Sequence, residues 1–96
     1  MQSEFDYIIV GGGSAGCVLA NRLSQDPDVA VLLLEAGGEG RSLFVDMPSA
    51  FAIPMASKEF NWGYYSQPEP TLNGRPMDAA RGRGLGGSSA INGMVY

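Results

Sequence analysis

The tightest constraint on this chain lies near its start, where Phe5-Asp6-Tyr7-Ile8-Ile9-Val10 runs straight into Gly11-Gly12-Gly13. β-Branched and aromatic residues that stop abruptly at glycine read as a buried strand entering a tight turn. From Ser14 the period changes. Ala15, Val18, Leu19, Arg22 and Leu23 recur at three and four, and Asp26-Pro27-Asp28 closes what is expected to be one helix. Val29 to Leu34 is apolar without alternation, the pattern of a strand in a parallel sheet covered on both faces, and Glu35 with Gly37-Gly38 ends it. Strand, helix and strand in this order make a βαβ unit over residues 5–36, with a right-handed crossover. The expected class is α/β, as part of a Rossmann-like FAD/NAD(P)-binding fold.

The turn itself, Gly11-Gly12-Gly13-Ser14-Ala15-Gly16, fits G-x-G-x-x-G. Gly11 permits the turn, Gly13 lets backbone approach a pyrophosphate, and Gly16 lets the helix lie close to the strand. A helix starting at Ser14 aims free N–H groups and its positive dipole end at phosphates. Glu35 stands nineteen residues beyond Gly16, at the tip of the second strand. There a carboxylate can accept hydrogen bonds from both ribose hydroxyls of an adenosine and repel a 2′-phosphate, which leaves FAD or NAD rather than NADP. Gly12 to Gly16 also matches G-x-S-x-G, the nucleophile elbow of α/β-hydrolases, with Ser14 as nucleophile. That reading needs a histidine base, and the 96 residues contain none; it also leaves Glu35 without a use.

Six Lys and Arg against ten Asp and Glu give a net charge of −4, which argues against a nucleic-acid partner. No stretch approaches the length of a membrane-spanning helix, and the acidic opening lacks the pattern of a secretory signal. One cysteine, Cys17, excludes an internal disulfide and a multi-cysteine metal site, so the expected compartment is the cytoplasm and the expected metal content is none. Residues 39–80 repeat no second βαβ unit. Pro48 is expected to start a short helix through Ala56, and Asn73-Gly74 marks a β-hairpin between Gly63 and Arg81. The chain then reaches a second glycine-rich run at 81–96. Its last residues, Ile91 to Tyr96, stop in an apolar run, as an amino-terminal piece of a longer chain would, with no substrate domain of its own.

An extended FAD needs a second region of close backbone contact, and Arg81-Gly82-Arg83-Gly84-Leu85-Gly86-Gly87-Ser88-Ser89 has the composition for it. Ser88 or Ser89 is placed to cap a helix through Ala90 and Ile91. A flexible linker has the same composition. The residues say more: Asp6 to Gly16, Leu32-Leu33-Leu34-Glu35-Ala36-Gly37 and Arg81 to Gly93 together resemble the glucose-methanol-choline (GMC) oxidoreductase family. Asn61-Trp62, Gln67-Pro68-Glu69-Pro70, Leu72-Asn73-Gly74-Arg75 and Ile91-Asn92-Gly93-Met94-Val95-Tyr96 are most like its choline-oxidising branch.

The resemblance implies FAD contacts at Gly11, Gly13, Ser14, Ala15 and Gly16 for the pyrophosphate and at Glu35 for the adenosine ribose. It implies others at Gly84, Ser88, Asn92, Gly93, Met94 and Val95, toward the pyrophosphate, ribityl and isoalloxazine portions. Some members attach FAD through a histidine just before the motif asparagine; here Ile91 stands there, which implies noncovalent FAD. The implied reaction oxidises a small-molecule alcohol to a carbonyl, with hydride passing to flavin N5 and a histidine taking the hydroxyl proton. The family places that base far toward the carboxyl end, so no catalytic residue is expected here and the chain alone is expected to be inactive. An NAD-dependent dehydrogenase domain and a noncatalytic, truncated nucleotide-binding product are the alternatives. Cys17 and the five methionines read as packing. Trp62, Tyr64 and Tyr65 read as a packed strand rather than a cage for a quaternary ammonium, and Arg75, Arg81 and Arg83 are either phosphate partners or loop charges.

Overall fold

The computed structural model describes residues 2–95. Strand β1 (Tyr7–Val10) leads to helix α1 (Ser14–Leu23), which returns to strand β2 (Val31–Leu34), and the strands pair in parallel with Tyr7 opposite Val31 and Val10 opposite Leu34. The βαβ unit is thus present. β2 begins two residues later than the apolar run because the chain before it is held elsewhere. Val29 donates to the Asp26 carbonyl at 3.1 Å, and Ala30 donates to Asp6 Oδ2 at 2.8 Å.

Helix α1 turns a different face inward from the one its large residues mark. Val18 and Leu19 are more than half exposed, while Gly16, Cys17, Ala20 and Leu23 are half-buried. The cause is at Gly16: a Cβ there would overlap the Gly11 carbonyl oxygen, so the helix comes down on its small residues. Gly11 itself turns the chain off β1 at φ 101°, a conformation that excludes most side chains.

Residues 39–80 carry more structure than expected. Helix α2 (Leu43–Asp46) is capped by Ser42, whose Oγ accepts from Phe44 N at 3.2 Å. The expected helix from Pro48 through Ala56 is divided into a 3-10 turn (Pro48–Ala50) and helix α3 (Ala52–Ala56). Pro54 explains the division. It has no N–H and is tolerated only in a helix's first turn, so α3 starts just before it, and its ring is fully buried.

The hairpin is present and short. β3 (Tyr64–Tyr65) pairs antiparallel with β4 (Asp78–Ala79). Asn73 and Gly74 at its tip both take left-handed backbone, at φ 57° and 73°, and Arg75 N donates back to the Leu72 carbonyl at 3.1 Å. Those are the features of a type I′ turn. Its base is fixed by Asn61, a buried polar side chain. Asn61 Nδ2 donates to the Met55 carbonyl at 2.5 Å, and Oδ1 accepts from Gly63 N and Arg81 N at 3.0 Å each.

The second glycine-rich run does not lead into an α-helix. Gly86 and Gly87 have φ of 93° and 55°, which an α-helix cannot use, and a 3-10 turn (Gly87–Ala90) follows with no side-chain cap. Ser88 and Ser89 therefore lie inside the turn rather than capping a helix. Apolar burial is sparse throughout: Ala50, Ile91 and Pro54 are buried, whereas Val10 is 83% exposed and Ile8 60%. The radius of gyration, 16.6 Å, exceeds the roughly 13 Å of a folded domain of similar length.

Candidate nucleotide-binding site

At the carboxyl ends of β1 and β2 the two glycine-rich runs meet around a cleft of about 780 Å³. Gly11, Gly13 and Ser14 line it from the first run, Gly82, Gly87 and Ser88 from the second, and Glu35 from the tip of β2. The runs are joined directly. Gly86 N donates to the Gly12 carbonyl at 2.7 Å, and the hydroxyls of Ser14 and Ser89 are hydrogen-bonded to each other. Leu85 N adds a bond to the Gly38 carbonyl at 3.1 Å.

Glu35 is the center of this junction. Its Oε2 accepts from Gly12 N at 2.7 Å, and its Oε1 accepts from Gly37 N at 2.9 Å and from Gly84 N at 3.1 Å. The N–H groups of Gly37 and Gly12, foremost, hold its carboxyl below the usual carboxylate range; Gly84 adds to this, as does the Ala36 N–H without reaching hydrogen-bond geometry, and partial burial opposes it. The carboxylate therefore stays ionised through neutral pH. A carboxylate has about four acceptor positions. With three taken by backbone, one is left open where Glu35 lines the cleft.

Gly13 leaves the floor of the cleft open. It lines the cleft, and a Cβ built on it meets no protein atom within 4 Å, so any side chain there would project into open space. No side chain caps α1 after Gly13 and no acid stands in its first turn, so the helix start is left for an anion. Among the remaining expected contacts, Ala15 and Gly16 lie on the first turn of α1 behind the cleft, with Gly16 against Gly11. Gly84 is buried beneath it, on Glu35. Asn92 and Met94 line a separate hollow with Phe44, Phe51 and Ile91, and Gly93 and Val95 line neither. Tyr96 of the closing motif lies outside the described residues.

Three further residues of the cleft are not among the FAD contacts that the resemblance implies. Trp62, Tyr64 and Arg81 reach it because the hairpin's base pairs back onto the second glycine-rich run, with Trp62 N donating to the Arg81 carbonyl at 2.9 Å and Arg83 N to that of Phe60 at 2.8 Å. The rings of Trp62 and Tyr64 are stacked, 6.0 Å apart and 3° from parallel, and the Arg83 guanidinium lies 4.9 Å from the Trp62 ring center. Tyr65 is not on this cleft. Two rings in a flat stack do not make a cage. Arg81 is at the cleft, Arg83 is engaged with an aromatic face, and Arg75 is at the hairpin tip. The Cys17 thiol donates to the Gly12 carbonyl at 3.1 Å and so braces the first turn.

A parallel βαβ unit with a glycine turn at the helix start and an acid at the second strand tip defines a dinucleotide-binding protein of the Rossmann type. Comparison with known proteins takes this further: residues 5–96 match the family model described as GMC oxidoreductase, and the chain belongs to that family. It is 58% identical over 96 residues to the oxygen-dependent choline dehydrogenase of Stenotrophomonas maltophilia (strain K279a), covering 98% of this chain and 17% of the relative. Among solved structures, pyridoxine 4-oxidase from Mesorbium loti superposes with a TM-score of 0.90 at 43% identity, over 97% of this chain and 18% of that one. An FAD-dependent oxidoreductase from Chaetomium thermophilum superposes with a TM-score of 0.82 at 41% identity, over 97% and 16%. The chain thus spans less than a fifth of these relatives' length.

Proposed function

We infer that this chain forms the adenosine and pyrophosphate grip of a flavin-dependent oxidoreductase acting on alcohols, with FAD as cofactor. The observation that carries this reading is the convergence of both glycine-rich runs on one cleft, with Glu35 between them. A pyrophosphate held at the start of α1 would lie against Gly11, Gly13 and Ser14, and the adenosine ribose would reach the free acceptor position of Glu35. Ser88 and Gly87 wall the same cleft from the other side. When bound, FAD supplies the hydride acceptor. What these residues contribute is binding and orientation: backbone N–H groups for the anion and a fixed carboxylate for the sugar.

Ile91 occupies the position where some family members carry the linking histidine. It is buried and has no nucleophilic atom, which supports noncovalent FAD. Identity to choline dehydrogenases supports a small hydroxylated substrate of that kind, with the base and substrate pocket contributed by residues outside this chain. Among the described residues no helix is long and apolar enough to cross a membrane. We place the protein in the cytoplasm on its single cysteine, which suits a reducing compartment. A flavin absorption band in the purified full-length protein, released by denaturation into the supernatant, is the expected result. NAD binding in place of a flavin would contradict the reading.

A further inference from the structure

We propose that Glu35 is a positioning residue whose carboxylate assembles the cleft, fastening Gly84 of the second glycine-rich run to Gly12 of the first and to its own turn at Gly37, with one acceptor position left for a ribose hydroxyl. The last part rests on the FAD reading of the cleft. The tie itself does not, because it is made wholly within the chain.

The three donors come from three separate segments: the β1–α1 turn, the turn after β2, and the loop after β4. Glycine at these points is what allows the approach. A Cβ on Gly37 would overlap the Gly84 amide, and one on Gly12 would stand 3.2 Å from Glu35 Oε2 and 2.8 Å from Leu85 Cδ2. Gly84 also has φ of 138°, so the residue that presents its N–H to the carboxylate is itself restricted to glycine. On the surrounding segments, Arg81 lines the same cleft, Arg83 stacks on Trp62, and Glu39 pairs with Arg41 in solvent. Among the described residues no side chain donates to the Glu35 carboxylate, so backbone alone holds it. A residue that only recognised sugar would leave the nucleotide-free protein unchanged when replaced. A tie, once cut, releases Gly84 whether or not nucleotide is present. Gln in place of Glu35 tests this sharply, since its NH₂ would face a backbone N–H donor where an acceptor is needed.

The decisive experiment uses the full-length protein labelled with ¹⁵N at glycine and freed of nucleotide. As pH is lowered, the amide protons of Gly12, Gly37 and Gly84 are expected to shift together at one midpoint below the usual glutamate range. Glu35→Gln is expected to speed exchange of the Gly84 amide by about tenfold. A Gly84 amide indifferent to both overturns the tie, and the wild-type titration decides the matter even where the variant fails to fold. For the ribose, ADP is compared with its 2′-deoxy and 3′-deoxy forms in wild type and Glu35→Gln. A Glu35-dependent loss from one deletion only is expected, and equal losses from both overturn the single-hydroxyl assignment. Failure to take up FAD with the three amides still titrating together counts against the cofactor reading alone.

Discussion

Gly13 and Gly16 sit three residues apart, and their replacement is expected to fail in different ways. Gly13→Ala places a methyl in the cleft that meets no protein atom within 4 Å, so the fold should stand and FAD affinity should fall by about tenfold, or roughly 1.4 kcal/mol, by flavin-fluorescence titration. Gly16→Ala drives a methyl into the Gly11 carbonyl and should cost stability, about 1–3 kcal/mol by denaturant unfolding, before any effect on binding is measured. Glu35 makes the site pH-dependent in one direction. Its folded-state pKa is lowered, so its contribution is complete above the usual glutamate value and is lost as pH falls through the lowered one. Retention of FAD should accordingly hold flat through neutral pH and weaken only in acid, with Glu35→Gln abolishing that acid limb. Part of this is legible in the residues: the glycine spacing and the acid nineteen positions on point to residues that line the cleft. That Glu35 accepts from Gly84 was not legible, because two residues 49 apart in sequence meet only through the fold.

The elements were legible in proportion to how local their causes are. β1, α1 and β2 follow from short-range pattern and turn glycines, and the Asn73-Gly74 tip follows from the backbone those two residues favor. Three features did not follow. Ser42 capped a helix whose sequence is too short to show a period, Pro54 split a run that its neighbors favor as one helix, and the inward face of α1 was set by Gly16 rather than by Val18 and Leu19. The Asn61 side chain adds to the backbone bonds that hold the hairpin's base beside the cleft. Asn61→Ala removes the acceptor for Gly63 N and Arg81 N and the donor to Met55, and should destabilise the hairpin's base by about 2–3 kcal/mol. Faster amide exchange at Gly63 and Arg81, with exchange in α1 unchanged, is the expected signature; equal loss of protection in both would show that Asn61 acts on the whole structure instead.

Taken whole, the molecule has a well-connected junction and little core. Two parallel strands expose Ile8 and Val10 and leave backbone edges without neighbors, an arrangement with too little apolar burial to stabilise it strongly. The 96-residue chain by itself should bind a hydrophobic dye such as ANS and melt over a broad range, whereas the same residues within a chain of their relatives' length should do neither. A sharp melt without dye binding would show that the exposed faces matter less than their area implies. The sequence read the class of fold correctly at this scale because a βαβ unit with its glycine turn is self-contained in residues 5–36. It could not show how few side chains would be buried, since that depends on what packs against the sheet.

The central claim is that both glycine-rich runs contact one cofactor. It is tested most directly by titrating FAD into glycine-labelled full-length protein and following the amides of Gly11, Gly13, Gly82 and Gly87. All four should shift with a single dissociation constant. Movement of the first run alone, or a response to NAD and not to FAD, would contradict the account.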